Sequence, residues 1–84
     1  MRLEIKPGAL EDLQYWTKTN PRQAQKILTL IDACLRHPFE GIGKPEPLKH
    51  KLVGTWSRRI DREHRLVYRV EGEALVILAA RYHY

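Results

Sequence analysis

The stretch WSRRIDREHRLVYRVEGEALVILAA, residues 56–80, decides the fold. From Leu52 onward the pattern has a period of two, with Trp56, Arg58 and Ile60 set against Ser57, Arg59 and Asp61. Successive strand side chains point to opposite faces, so this alternation predicts a strand. Asp61-Arg62-Glu63 reads as a turn. His64 to Val70 is the next strand, with Leu66, Tyr68 and Val70 on one face and Arg65, Val67 and Arg69 on the other. Glu71-Gly72 is a second turn, and Ala74 to Ala80 is apolar on both faces, which suits a central strand. The C-terminal half is therefore an antiparallel meander.

Upstream the period changes. Leu3 and Ile5 alternate with Arg2, Glu4 and Lys6, which predicts a short strand with one buried face, broken by Pro7-Gly8. A helix is expected from about Ala9 to Thr17, with Leu10, Leu13 and Trp16 on one stripe. Glu11 and Asp12 fall in its first turn, where the helix dipole favours anions. Asn20 is a good N-cap and Pro21 a good first residue for a second helix, Pro21 to about Arg36. Ala24, Ile27, Leu28, Ile31, Cys34 and Leu35 form its apolar face, and Leu30 lies off that stripe. Pro38 stops it, and residues 39–50, carrying two glycines and two prolines, should be a charged surface loop without regular structure. The predicted fold is α+β: two N-terminal helices packed on one face of a small, mainly antiparallel twisted sheet.

With 84 residues the chain has room for one domain, residues 1–84. Its 43% hydrophobic and 30% charged residues are those of a globular domain and not of a disordered segment. A net charge of +5 favours a polyanionic partner such as nucleic acid, a ribosome or an acidic protein. Cys34 is the only cysteine, so no internal disulfide forms, and its apolar neighbours suit a buried structural thiol. No metal-ligand spacing is present. Residues 1–8 lack the apolar core of a signal peptide, and no apolar run approaches the roughly 20 residues of a membrane span. A cytoplasmic location follows as the expectation.

The sheet face opposite the helices would carry Arg59, Arg65 and Arg69, a basic platform for an RNA backbone. RNA can be cut without a metal through its own 2′-hydroxyl. One group takes the hydroxyl proton, a second protonates the departing 5′-oxygen, and a cation stabilises the charge on the phosphorane. The sequence offers Glu46 as base, His83 as acid and Arg65 as cation, with Lys44, Lys49 and Arg59 to hold phosphates and the Tyr84 phenol to bond or stack. Each has a plainer reading. Glu46 fits a solvated loop, His83 a frayed terminus, Arg65 an exposed strand residue or a partner of Glu63, and Lys44 and Lys49 are ordinary surface lysines. Spacing does not show that Glu46 and His83 meet.

Four blocks of sequence add to this. They are Pro38-Phe39-Glu40-Gly41 through Gly43-Lys44-Pro45-Glu46-Pro47-Leu48-Lys49-His50; Gly54 with Trp56-Ser57-Arg58-Arg59-Ile60; His64-Arg65-Leu66-Val67-Tyr68; and the terminal Arg81-Tyr82-His83-Tyr84. In this order they resemble the Txe/YoeB toxins of the wider RelE/ParE group, over essentially the whole chain. The resemblance implies a RelE-like fold and a type II toxin that cleaves mRNA in the ribosomal A site. It implies Glu46 as general base, His83 as general acid and Arg65 as transition-state stabiliser, with Lys49, Arg59 and Tyr84 positioning RNA. It also implies a 2′,3′-cyclic phosphate product, no metal or other cofactor, a YefM-type antitoxin and a homodimer. Two alternatives compete: a ParE-like toxin that inhibits gyrase by binding, and a non-catalytic RNA- or DNA-binding module.

Overall fold

Proline has a fixed φ and no N–H to donate, so it suits the first turn of a helix, where the donor would be unsatisfied anyway. In the computed structural model, which describes residues 1–49 and 54–82, both helices begin this way. Helix α1 spans Pro7–Thr19 and α2 spans Pro21–Arg36, after strand β1 (Arg2–Ile5). Pro7 thus opens α1 two residues earlier than expected, and Glu11 and Asp12 lie beyond the first turn. Asn20 ends one helix and starts the next: its N–H donates to the Trp16 carbonyl, and its side chain accepts from the Gln23 N–H at 3.3 Å.

The remaining strands are β2 (Glu46–Pro47), β3 (Thr55–Arg59), β4 (Arg65–Glu71) and β5 (Ala74–Ala79). Their order in the sheet is β1-β5-β4-β3-β2. Three pairings are antiparallel and β1 runs parallel to β5. The central position of β5 explains its apolar character on both faces. Leu52 and His50, where the predicted alternation starts and the predicted loop ends, lie outside the described residues. The loop itself contains the short strand β2, which its proline and glycine content argues against.

One face of the sheet presents Leu66, Tyr68, Leu75 and Ile77 to Leu13 and Trp16 of α1 and to Ile27, Ile31 and Cys34 of α2. Burying each Leu or Ile there contributes roughly 1.5–3 kcal/mol. Three expectations about this core need correction. Leu3 and Ile5 are 43% and 36% exposed, because β1 is the outer strand with a single neighbour. Leu10 is exposed and Ala9 takes its place in the core. On α2 the two leucines exchange roles: Leu28 is 49% exposed and Leu30 only 2%. The cause is the loop after α2, which returns over Leu30. A Cβ on Gly43 would meet the Leu30 Cδ2 at 3.0 Å, and the φ of +80° at Gly43 suits glycine alone.

Cys34 is fully buried, and burial pushes its thiol above the ordinary range, against the opposing influence of Arg58. Its reaction with a disulfide reagent near neutral pH should proceed only as fast as the protein unfolds. A folded-state rate equal to that of free cysteine would place the thiol at the surface instead.

Candidate active site

A buried guanidinium builds the loop that presents the site. Arg58 lies on the helix side of β3 and is fully buried. Its Nη2 donates to the carbonyls of His37 and, at 2.8 Å, Glu40. Its Nη1 donates to the Ile42 carbonyl at 2.9 Å, and its Nε to the Tyr68 hydroxyl at 3.2 Å. That hydroxyl donates to the Pro38 carbonyl at 2.7 Å. A buried charge is tolerated only when dipoles replace its lost water, and here the loop carbonyls do so. Burial pushes the Tyr68 phenol up to about 12, against the pull of Arg58, so it stays a donor. The loop is thereby wrapped around one side chain between residues 37 and 42. The Arg59 N–H then bonds the Gly43 carbonyl at 2.7 Å, and three residues later the chain enters β2.

The register of β2 decides what faces what. Glu46 lies opposite Ser57, Ser57 opposite Val67, and Arg59 opposite Arg65. These pairs place Glu46, Ser57, Arg59 and Arg65 on the face away from the helices, as the alternation predicts for the two arginines. The Arg65 Nη1 donates to the Glu46 Oε1 at 2.9 Å and lies 3.5 Å from the Ser57 hydroxyl. Arg65 therefore pairs with a residue 19 positions away in the sequence. Such a solvent-facing pair contributes about 0–1 kcal/mol to stability, so folding alone does not require it. Among the described residues Arg59 and Lys44 have no ion-pair partner. Both line an open groove of about 420 Å³, with Lys26, Arg62 and an apolar floor of Leu30 and Ile60. Lys49 is exposed just beyond β2. His83 and Tyr84 lie outside the described residues.

The chain leading to those two residues is held from several sides. The Ala80 N–H donates to the Asp12 carboxylate at 2.9 Å, and the Trp16 indole N–H donates to the Ala80 carbonyl at 2.8 Å. The Tyr82 N–H donates to the His64 Nδ1 at 2.7 Å, while the Tyr82 carbonyl accepts from the Arg65 N–H at 2.8 Å. Sequence reasoning misses Asp12, Trp16 and His64 as supports of the tail. It assigns Asp12 to the helix dipole and Trp16 to the core. The available signal is their i, i+4 spacing, which sets a carboxylate and an indole N–H on one helical stripe.

His64 is itself fixed by the preceding turn. One Asp61 carboxylate oxygen accepts from the N–H groups of Glu63 and His64, each at 2.8 Å, and the other accepts from the Gln23 side chain at 2.5 Å. Burial would raise the Asp61 carboxyl, but these hydrogen bonds, and the His64 charge once that ring is protonated, hold it below the ordinary value. A lowered folded-state pKa contributes stability above the unfolded value, about 3.9, and loses it as pH falls through the folded one. Asp61→Asn should therefore flatten the acid limb of stability against pH. Urea unfolding at a series of pH values from about 6 down to about 3 measures it, and an unchanged slope would remove Asp61 from the linkage.

Residues 5–84 match the model of the YoeB-like toxins of bacterial type II toxin–antitoxin systems. The chain is a member of the YoeB family. It is 54% identical to Toxin YoeB of Escherichia coli strain K12 over 84 residues, the whole of both chains. The structure of a YoeB/ParE toxin from Agrobacterium tumefaciens superposes over all of both chains with a TM-score of 0.95 at 45% identity. Staphylococcus aureus YoeB is similar in two assemblies, each matching all of this chain and 98% of its own. The TM-score is 0.91 at 41% identity for a YoeB dimer and 0.89 at 42% for a YoeB–YefM complex. The fold is thus that of the YoeB and RelE-type toxins: two helices against a mixed five-stranded sheet. No helix among the described residues is long and apolar enough to cross a membrane.

Proposed function

We propose that this YoeB-family toxin is a ribosome-dependent endoribonuclease that cuts mRNA in the A site. The observation that carries the reading is the Glu46–Arg65 contact at 2.9 Å on the basic face of the sheet. It sets a proton acceptor beside a cation, as cleavage through the 2′-hydroxyl demands. The incoming scissile phosphate draws Arg65 from the carboxylate to a phosphoryl oxygen. A Glu46 oxygen is then free to take the 2′-hydroxyl proton. The 2′-oxygen attacks phosphorus, Arg65 stabilises the phosphorane, and the bond to the 5′-oxygen breaks. His83 supplies the proton to that leaving oxygen, giving a 2′,3′-cyclic phosphate and a 5′-hydroxyl. Support for His83 comes from its chain neighbour, since Tyr82 is bonded through both backbone groups beside Arg65. Lys44, Lys49 and Arg59 hold flanking phosphates, and the Tyr84 phenol bonds or stacks on the RNA. The scheme uses no metal or other cofactor.

The toxin works in the cytoplasm, where ribosomes are. By analogy with the Staphylococcus aureus assemblies, we assign it a YefM-type antitoxin and a homodimeric state. Ribosome-bound mRNA supplies both the geometry and the phosphates around the acid–base pair, so the free protein is a poor nuclease. Primer extension on an mRNA with and without translating ribosomes tests this. Wild type should give cuts at A-site codons only with ribosomes, and His83→Ala should give none. Equal cleavage of naked RNA would overturn the ribosome dependence, and full cutting by a folded His83→Ala variant would remove His83 from the reaction.

A further inference from the structure

We propose that His64 is a positioning residue that clamps the terminal segment against Arg65, with its neutral imidazole as the acceptor for the Tyr82 N–H. This rests on the reading of His83 as the acid.

The contact at 2.7 Å runs from a backbone donor into Nδ1, so Nδ1 must carry a lone pair and the ring proton sits on Nε2. The adjacent carbonyl of Tyr82 is taken by the Arg65 N–H at 2.8 Å. One residue of the tail is therefore bonded on both sides by consecutive residues, His64 and the strand residue Arg65. Tyr82 adopts a φ of +61°, a left-handed conformation that is costly for an aromatic residue. Such a conformation persists only where the surroundings dictate it, and they do so here. The His64 ring lies 4.8 Å from the Trp16 ring, edge to face, and 5.4 Å from the Tyr82 ring. The Arg81 guanidinium sits 3.6 Å from the Tyr15 ring centre and 4.8 Å from that of Tyr82, and donates to the Tyr82 hydroxyl at 3.0 Å. Asp61 holds the His64 backbone from below. The segment from Ala80 to Tyr82 is thus stapled to α1 and to β4 up to the residue before His83. Loss of the His64 acceptor releases one of the two backbone bonds that hold Tyr82, while leaving the Arg65 bond, Glu46 and the basic face in place.

The test compares His64→Ala and His64→Asn, the latter placing an amide oxygen near the position of Nδ1. Two readouts separate positioning from general folding: the split of kcat and KM in cleavage of ribosome-bound mRNA, and the protection of the Tyr82 amide against hydrogen exchange in the free toxin. His64→Ala should lower kcat by on the order of tenfold, the worth of one such hydrogen bond, with KM changed less than about twofold. It should also expose the Tyr82 amide. His64→Asn should recover most of both. Wild-type kcat in His64→Ala, or a Tyr82 amide that stays protected in it, would overturn the proposal. So would equal impairment of the two variants. The amide measurement involves no nuclease chemistry, so the clamp can fail or stand separately from the assignment of His83.

Discussion

Replacing Arg65 by alanine should reduce A-site cleavage by about 10²–10³-fold and abolish growth arrest, with the protein still folded. A single preorganised group facing the charge that develops on the phosphorane is worth that much when removed. The fold survives because the Glu46–Arg65 pair faces solvent, where such pairs contribute about 0–1 kcal/mol. The urea midpoint should move little. Arg65→Lys is the informative companion. It keeps the charge but replaces the planar guanidinium, whose Nη1 donates to Glu46 and reaches toward Ser57, with a compact ammonium, so its rate should fall between the two. Rates measured on ribosome-bound mRNA, alongside unfolding curves, check both halves. A folded Arg65→Ala protein that cleaves like wild type would take the cation, and with it the proposed chemistry, out of the site.

The opposite pattern is expected at Arg58, the buried arginine of the same meander. Arg58→Met should destabilise the protein by about 3–5 kcal/mol, because the carbonyls of His37, Glu40 and Ile42 and the Tyr68 hydroxyl lose their donor together. For a chain of this size that is a fall in Tm of roughly 15 °C or more. Arg58→Lys should recover part of the loss, since one ammonium cannot reach every acceptor of the planar fork. Calorimetry or urea unfolding measures it. A change below about 1 kcal/mol in Arg58→Met would mean that the loop does not depend on the guanidinium. Two arginines of the same meander, Arg58 and Arg65, thus differ in kind: one is buried among loop carbonyls and the other faces solvent beside Glu46.

The sequence shows that difference only in part. Alternation in residues 56–70 places Arg59 and Arg65 on one face, and the sheet register bears this out. The same alternation puts Arg58 beside Trp56 and Ile60 on the other face, and so in the core. What alternation cannot reveal is why a charge is tolerated there. Its partners are mostly backbone carbonyls, which every residue has and no pattern marks. The Leu28 and Leu30 exchange has a similar origin. Helical periodicity ranks positions on an isolated helix, but the arc that is buried depends on which loop returns across it, here the one tightened by Gly43. Asp12 misleads in the same way, since a carboxylate early in a helix matches the dipole rule while its bond is to Ala80, far along the chain.

The candidate site divides likewise. The charge of +5, the loop signature around Glu46 and the four blocks that resemble the YoeB toxins are properties of the residue string. They suffice for the family and for naming Glu46, Arg65 and His83 as candidates. The sequence by itself determined the two helices, the second with its Asn20 cap and proline start, the strand meander and the basic face, because periodicity, caps and turns are local physics. Only the tertiary structure decided that Glu46 meets Arg65 at 2.9 Å and that the tail is bonded to His64 and Arg65 up to Tyr82. Those contacts join residues separated by 17 to 19 positions, and whether they form depends on strand register and on the wrapping of a loop around Arg58. Both are settled by the packing of the whole chain and are written at no single place in it.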